Sequence, residues 1–127
     1  MDVDEAIRAL CVRVEPVGSR VTCDPAPTDT DIDYLLLSAD GNVLAYIHQD
    51  GWILGGSVIA DAANKVSRED RFSSFKKGNV NLIVTTSARF FERFMAATYV
   101  AHRLNLLCKT DRISLFQAVL YGNIMEC

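Results

Sequence analysis

The chain has 127 residues, half of them hydrophobic and 23% charged, with a formal net charge of −3. That size suits one globular domain, residues 1–127, around one core. The acidic balance gives no general pull toward nucleic acid, and no apolar run approaches the roughly 20 residues of a membrane span.

The elements follow in chain order. Met1 to Glu5 is acidic, the reverse of a secretory signal, which places the expected location in the cytoplasm. From Asp4 to about Cys11, polar and apolar residues fall at helical spacing and predict a short first helix. Val12 to Glu15 alternates with period two and reads as a strand running into Pro16 and Gly18. Thr22 to Asp29 contains two prolines and reads as a loop. Asp31 to Ser38 is the best strand in the chain, and its continuous apolar half suggests burial on both faces, as in a sheet covered by helices. Asp40-Gly41 ends it. Asn42 to His48 suits a helix stopped by Gly51. Trp52 to Ser57 is open between strand and loop, and Ala60 to Val66 between short helix and loop. Arg71 to Lys76 and Asn79 to Thr85 are candidate strands joined by a hairpin at Lys77-Gly78. Ser87 caps a long helix whose apolar side carries Phe90, Phe91, Phe94, Met95, Thr98, Val100 and Ala101. A last helix begins at Asp111, carries Ile113, Phe116, Gln117 and Leu120 on one side, and stops at Gly122.

Cys11, Cys23, Cys108 and Cys127 form no C-x-x-C pair, which argues against zinc and for free thiols. Cys11 and Cys108 lie among apolar residues and read as small core side chains; Cys127 is terminal. His48 and His102 stand apart from any acid or thiol cluster and read as surface or helix-edge residues. Trp52 beside Gly55-Gly56 reads as a half-buried aromatic at a turn, with a base-stacking lid as the functional alternative. Lys109, Asp111 and Arg112 read as an exposed helix start, although Lys109 or Arg112 can face a substrate.

The chemistry concentrates in Val17-Gly18-Ser19 and in Thr30-Asp31-Ile32-Asp33-Tyr34. On a strand, Asp31 and Asp33 share a face about 7 Å apart, and Ile32, Tyr34 and Leu36 share the other. Two like charges that close repel, and a cation between them relieves the repulsion. Magnesium suits such a pair, since it takes hard oxygen ligands and completes its shell with water and phosphate. Asp29 and Asp31 would also share a face if the strand began early.

These segments resemble the nucleotidyltransferase signature of the polymerase-beta type: an apolar residue, Gly, Gly or Ser, a spacer, then Asp-apolar-Asp-apolar. That pattern selects Asp31 and Asp33 and leaves Asp29 in the loop, as a cap or a partner of phosphate-bound water. Phe75 to Thr85 and Lys109 to Gln117 are similar in texture to small nucleotidyltransferase-like proteins of tailed bacteriophages. The resemblance implies an α/β (α+β) domain in which a small mixed sheet, with helices packed on it, holds the Gly-Ser turn and the acids at one edge.

It also implies a minimal nucleotidyltransferase that binds a nucleoside triphosphate with Mg2+. Asp31 and Asp33 hold metal, and Gly18 and Ser19 approach phosphate. Arg20, Lys76 and Lys77 are further candidates to neutralise it; for Lys76 and Lys77 the alternative is a solvated hairpin tip. The acceptor is an RNA or protein hydroxyl, in a host cytoplasm if the source is viral. Members of the family usually carry a third carboxylate on a neighbouring strand, and here Asn81 (or Asn79) stands where that acid is expected. An amide cannot accept the proton of an attacking hydroxyl. The alternatives are a base from elsewhere, with Asp61, Glu69 and Asp70 available, a neighbouring subunit completing the site, or a binding or regulatory module without turnover.

Overall fold

The computed structural model describes residues 5–40, 42–55 and 72–121. Among these the order is α1 (Glu5–Ala9), β1 (Cys11–Val17), α2 (Ser19–Thr22), β2 (Ile32–Ser38), α3 (Asn42–Gln49), β3 (Ile53–Gly55), β4 (Ser73–Lys77), β5 (Val80–Thr85), α4 (Ala88–Leu104) and α5 (Lys109–Tyr121). The five strands form one sheet in the order β1-β2-β5-β4-β3. Strand β2 runs parallel to β5, and the other neighbours pair antiparallel. This is the expected small mixed sheet with helices packed on it.

Period-two alternation sends successive residues of β2 into two separate cores, one on each face of the sheet, where the length predicts a single core. Leu36 joins Leu82 and Val84 of β5 and Phe75 of β4 against Ile7 of α1 and Val43 and Ile47 of α3. Leu35 joins Val17 of β1 against Phe90, Phe91 and Phe94 of α4 and Phe116 and Leu120 of α5. Both leucines are fully buried, so β2 is covered on both faces, as its unbroken apolar run predicts. Phe94 and Phe116 meet edge to face, centroids 4.9 Å apart, and lock α4 to α5. Ser87 caps α4, its hydroxyl accepting from the Phe90 amide at 3.0 Å. The β4–β5 hairpin turns at Gly78-Asn79, where Gly78 supplies a φ of 61° that a tight two-residue turn requires.

Several expectations need correction. The acids do not lie at a sheet edge: β2 is an interior strand, and Asp31 and Asp33 sit at its N-terminal end. Helix α1 ends before Cys11, which opens β1 instead. Strand β1 continues through Pro16, which an edge strand tolerates because its missing N–H is not needed in the ladder. A register shift between Cys11 and Arg13 leaves Val12 exposed. Helix α5 starts at Lys109, two residues before Asp111. Cys108 precedes that helix and is exposed, whereas Cys23 is the buried thiol. Cys11 is half-buried, and that burial pushes its thiol up to about 11. Val100 is exposed because the buried face of α4 runs through Ala97, Thr98 and Ala101. His48 and His102 are exposed, as expected. Ala60 to Val66, Gly122 and Cys127 lie outside the described residues.

Candidate functional site

The end of β1 and the start of β2 are paired so that Val17 stands opposite Asp33. Across the sheet, Asp33 pairs with Asn81 of β5, and Asn81 with Lys76 of β4. Paired residues on adjacent strands point to the same face. A carboxylate, an amide and an ammonium therefore stand in one row, on the face that carries α4 and α5. Asp31 precedes the first residue of β2, yet its side chain reaches the same row: Lys76 Nζ lies 2.9 Å from Asp31 Oδ2.

Gly18 follows Val17 with φ 82° and ψ −172°, a combination that is essentially restricted to glycine. It begins the single turn α2, and its carbonyl accepts from the amides of Val21 and Thr22 at 3.0 Å. A Cβ at this position would sit 2.1 Å from Asp33 Oδ2. Two independent constraints thus require glycine here: the backbone conformation, and a carboxylate packed directly on its Cα. The turn and the acid are one construction.

Burial raises the Asp33 carboxyl to about 6 from 3.8. A side-chain hydrogen bond from Asn81 opposes the rise, the neighbouring Asp31 charge adds to it, and Lys76 and Arg20 oppose it. Asp33 is a desolvated acid beside a second acid, an environment that favours the arrival of positive charge.

In front of this row opens a cleft of about 790 Å³. Its polar lining includes Gly18, Ser19, Asp29, Asp31, Asp33, Asn81 and Lys76. Helix α5 also lines it, with Lys109, Arg112, Ile113 and Phe116. The structure thus brings together Gly18, Ser19, Asp31, Asp33, Asn81 and Lys76 from four stretches of sequence. It also brings in Asp29, which the sequence leaves as a cap or a partner of phosphate-bound water, and the start of α5, which the sequence offers as an open possibility for Lys109 and Arg112.

Two expected phosphate ligands do not line the cleft and are held by protein groups. Arg20 is a strut: Nε donates to the Thr30 carbonyl at 3.1 Å, and Nη2 donates to the Thr28 and Thr30 carbonyls at 3.0 and 2.7 Å. It ties the loop ahead of Asp31 to α2. Lys77 follows Lys76, so strand alternation turns it to the opposite face. There Nζ donates to the Asp50 carbonyl at 2.8 Å and lies 5.9 Å from the centre of the Trp52 ring. Trp52 is half-buried against the α1–α3 core, the reading at a turn rather than the lid. Arg112, although it lines the cleft, donates Nη1 to the Leu106 and Leu107 carbonyls at 2.8 Å and holds the α4–α5 connection. Asp61, Glu69 and Asp70 lie outside the described residues.

The donor set fits Mg2+ in one way and not in another. Among the described residues no group of three His, Cys, Asp or Glu side chains is placed to hold a metal ion. Two carboxylates with an open cleft are the set that magnesium uses when substrate phosphates and water complete its shell. Asp31 and Asp33 therefore fit a metal that comes with a polyphosphate, and they do not form an all-protein cage.

No protein-family model matches the chain, and no curated protein does. Among solved structures, the crystal structure of the conserved protein GrpB from Enterococcus faecalis is similar, with a TM-score of 0.56 over 93% of this chain and 88% of that one. Sequence identity is 12%, so the likeness is one of fold. Among the described residues no helix is long and apolar enough to cross a membrane.

Proposed function

We propose that this protein is a minimal nucleotidyltransferase, which binds a nucleoside triphosphate with Mg2+ in the cleft and passes the nucleotidyl group to an acceptor hydroxyl. The observation that carries this reading is the fit of the Gly18 turn onto the Asp33 carboxylate, with Asp31 beside it and the cleft in front. The same residues carry the sequence resemblance to the polymerase-beta type.

Asp31 and Asp33 would hold the metal, which when bound neutralises phosphate charge and polarises the phosphorus under attack. The Gly18 and Ser19 backbone, bare of a Cβ at Gly18, lets a phosphate approach closely. Lys109, at the cleft on α5, supplies positive charge. The acceptor oxygen bonds to the α-phosphorus, the α–β bridging oxygen leaves with pyrophosphate, and the hydroxyl proton passes to water. Most of such a reaction is positioning and charge neutralisation.

A second reading is favoured by two observations. Asn81 stands beside Asp33 where a third acid would act as base, and Lys76 pairs with Asp31. Both suit a module of nucleotidyltransferase-like fold that binds a nucleotide without turnover, for regulation of a partner. Incubation with α-labelled nucleoside triphosphates, Mg2+ and a pool of tRNA or cellular protein separates the two. Label transferred by the wild type and lost in Asp31→Asn supports the transferase. Saturable nucleotide binding with no label transferred to any acceptor overturns it in favour of the module.

A further inference from the structure

We propose that Lys76 is a built-in counter-ion of the acidic pair, which keeps out a bare divalent cation and releases Asp31 when metal and polyphosphate arrive together. The inference rests on the nucleotide-binding reading above and concerns the regulation of that same site.

The geometry comes first. The register of β4, β5 and β2 sets Lys76, Asn81 and Asp33 in one row, and the Lys76 ammonium lies 2.9 Å from Asp31 Oδ2. It thus occupies the side of the acids that faces the cleft, which both residues line. Lys76 and Asp31 side chains remain 52% and 44% exposed. An ion pair that exposed adds little to folding, so its position is what it contributes. The neighbouring Lys77 cannot take its place, because it faces the other side of the sheet and is held by Asp50.

Charge supplies the selectivity. A divalent ion that arrives alone must displace the ammonium and then stand beside it, a repulsion between like charges. A metal that arrives with a triphosphate brings anionic oxygens, and the displaced ammonium pairs with those instead. The same lysine therefore opposes the bare metal and favours the metal–nucleotide complex. By linkage, nucleotide tightens metal binding as much as metal tightens nucleotide binding.

The test uses Mn2+ as a spectroscopic probe without nucleotide, on the full chain as wild type, Lys76→Met and Lys76→Arg. Removal of the ammonium should tighten Mn2+ binding about tenfold, and Lys76→Arg should bind like wild type. Asp31→Asn added to Lys76→Met should abolish the gain. Lys76→Met should also bind a non-hydrolysable triphosphate more weakly in the absence of metal. Equal Mn2+ affinity for wild type and a folded Lys76→Met, checked by circular dichroism, overturns the proposal, as does a gain that survives Asp31→Asn. The two readings fail separately. A gain with no label transfer by the wild type overturns the transferase and leaves the counter-ion standing; transfer without a gain does the reverse.

Discussion

Asp33 is an acid whose environment works against its own charge, and the consequence is a pH dependence with a defined sign. Burial lifts its folded-state value to about 6 from 3.8, the value of an unfolded chain. Between those two values the folded protein keeps a proton that the unfolded chain has released, so rising pH draws the equilibrium toward unfolding. This loss of stability starts near 4 and is complete above about 6. Asp33→Asn removes the ionisation while keeping a similar shape and an oxygen for Asn81. In chelator, the variant should melt above wild type at about pH 7.5, with the advantage shrinking toward about pH 4.5. A melting difference that stays constant across that range rules out the assigned cause. The same substitution removes a proposed metal ligand, so the gain in stability should accompany loss of label transfer, as at sites where function is kept at some expense of stability. Gly18 belongs to this scale as well. Its presence was legible as part of a motif, but its reason was not, because no sequence pattern shows that a carboxylate from another strand lies on its Cα.

Among the elements, those whose signals are local were the most legible. Ser87 before an aromatic-rich run marked the start of α4, and the hydroxyl indeed accepts from the Phe90 amide. Ser87→Ala should therefore destabilise the protein by about 1 kcal/mol, within the range for lost N-caps. Urea denaturation would read this as a lower midpoint with an unchanged slope. No loss of stability would mean that the cap is replaced by water. Elements whose signals are not local were less legible. Helix α2 is a single turn of Ser-Arg-Val-Thr, held by the Gly18 carbonyl and the Arg20 strut rather than by helix propensity. Strand β3 is open between strand and loop in the sequence because its residues are exposed, and it forms only by pairing with β4. The sequence offers Lys76 and Lys77 as one pair, either phosphate candidates or a solvated hairpin tip, whereas strand alternation sends adjacent residues to opposite faces and divides them. Apolar neighbours in sequence suggest burial for Cys108, which instead lies exposed between α4 and α5, and Val100 falls just off the buried face of α4.

At the scale of the whole molecule, the chain betrayed its class but not its topology. The run from Tyr34 to Leu37 announced a strand covered on both sides, and the alternation of elements announced a mixed sheet. The parallel pairing of β2 with β5, which sets Asn81 beside Asp33, joins segments far apart in sequence and leaves no local trace. The consequence of that topology is a sheet with two cores of different duty. Leu35 faces α4 and α5, the layer that also lines the cleft through Phe94, Ile113 and Phe116. Leu36 faces α1 and α3, on the side away from it. Both are fully buried, so Leu35→Ala and Leu36→Ala should each destabilise by about 2–5 kcal/mol. Ligand binding should tell them apart. Well below the melting transition, Leu35→Ala should weaken nucleotide affinity, since the cavity it leaves lies under the helices that shape the cleft. Leu36→Ala should lose stability alone. Isothermal titration with a non-hydrolysable triphosphate, read beside urea midpoints, makes the comparison. Equal losses of affinity in both variants would mean that the two layers act as one, and that the cleft depends on the whole sheet rather than on the face it opens from.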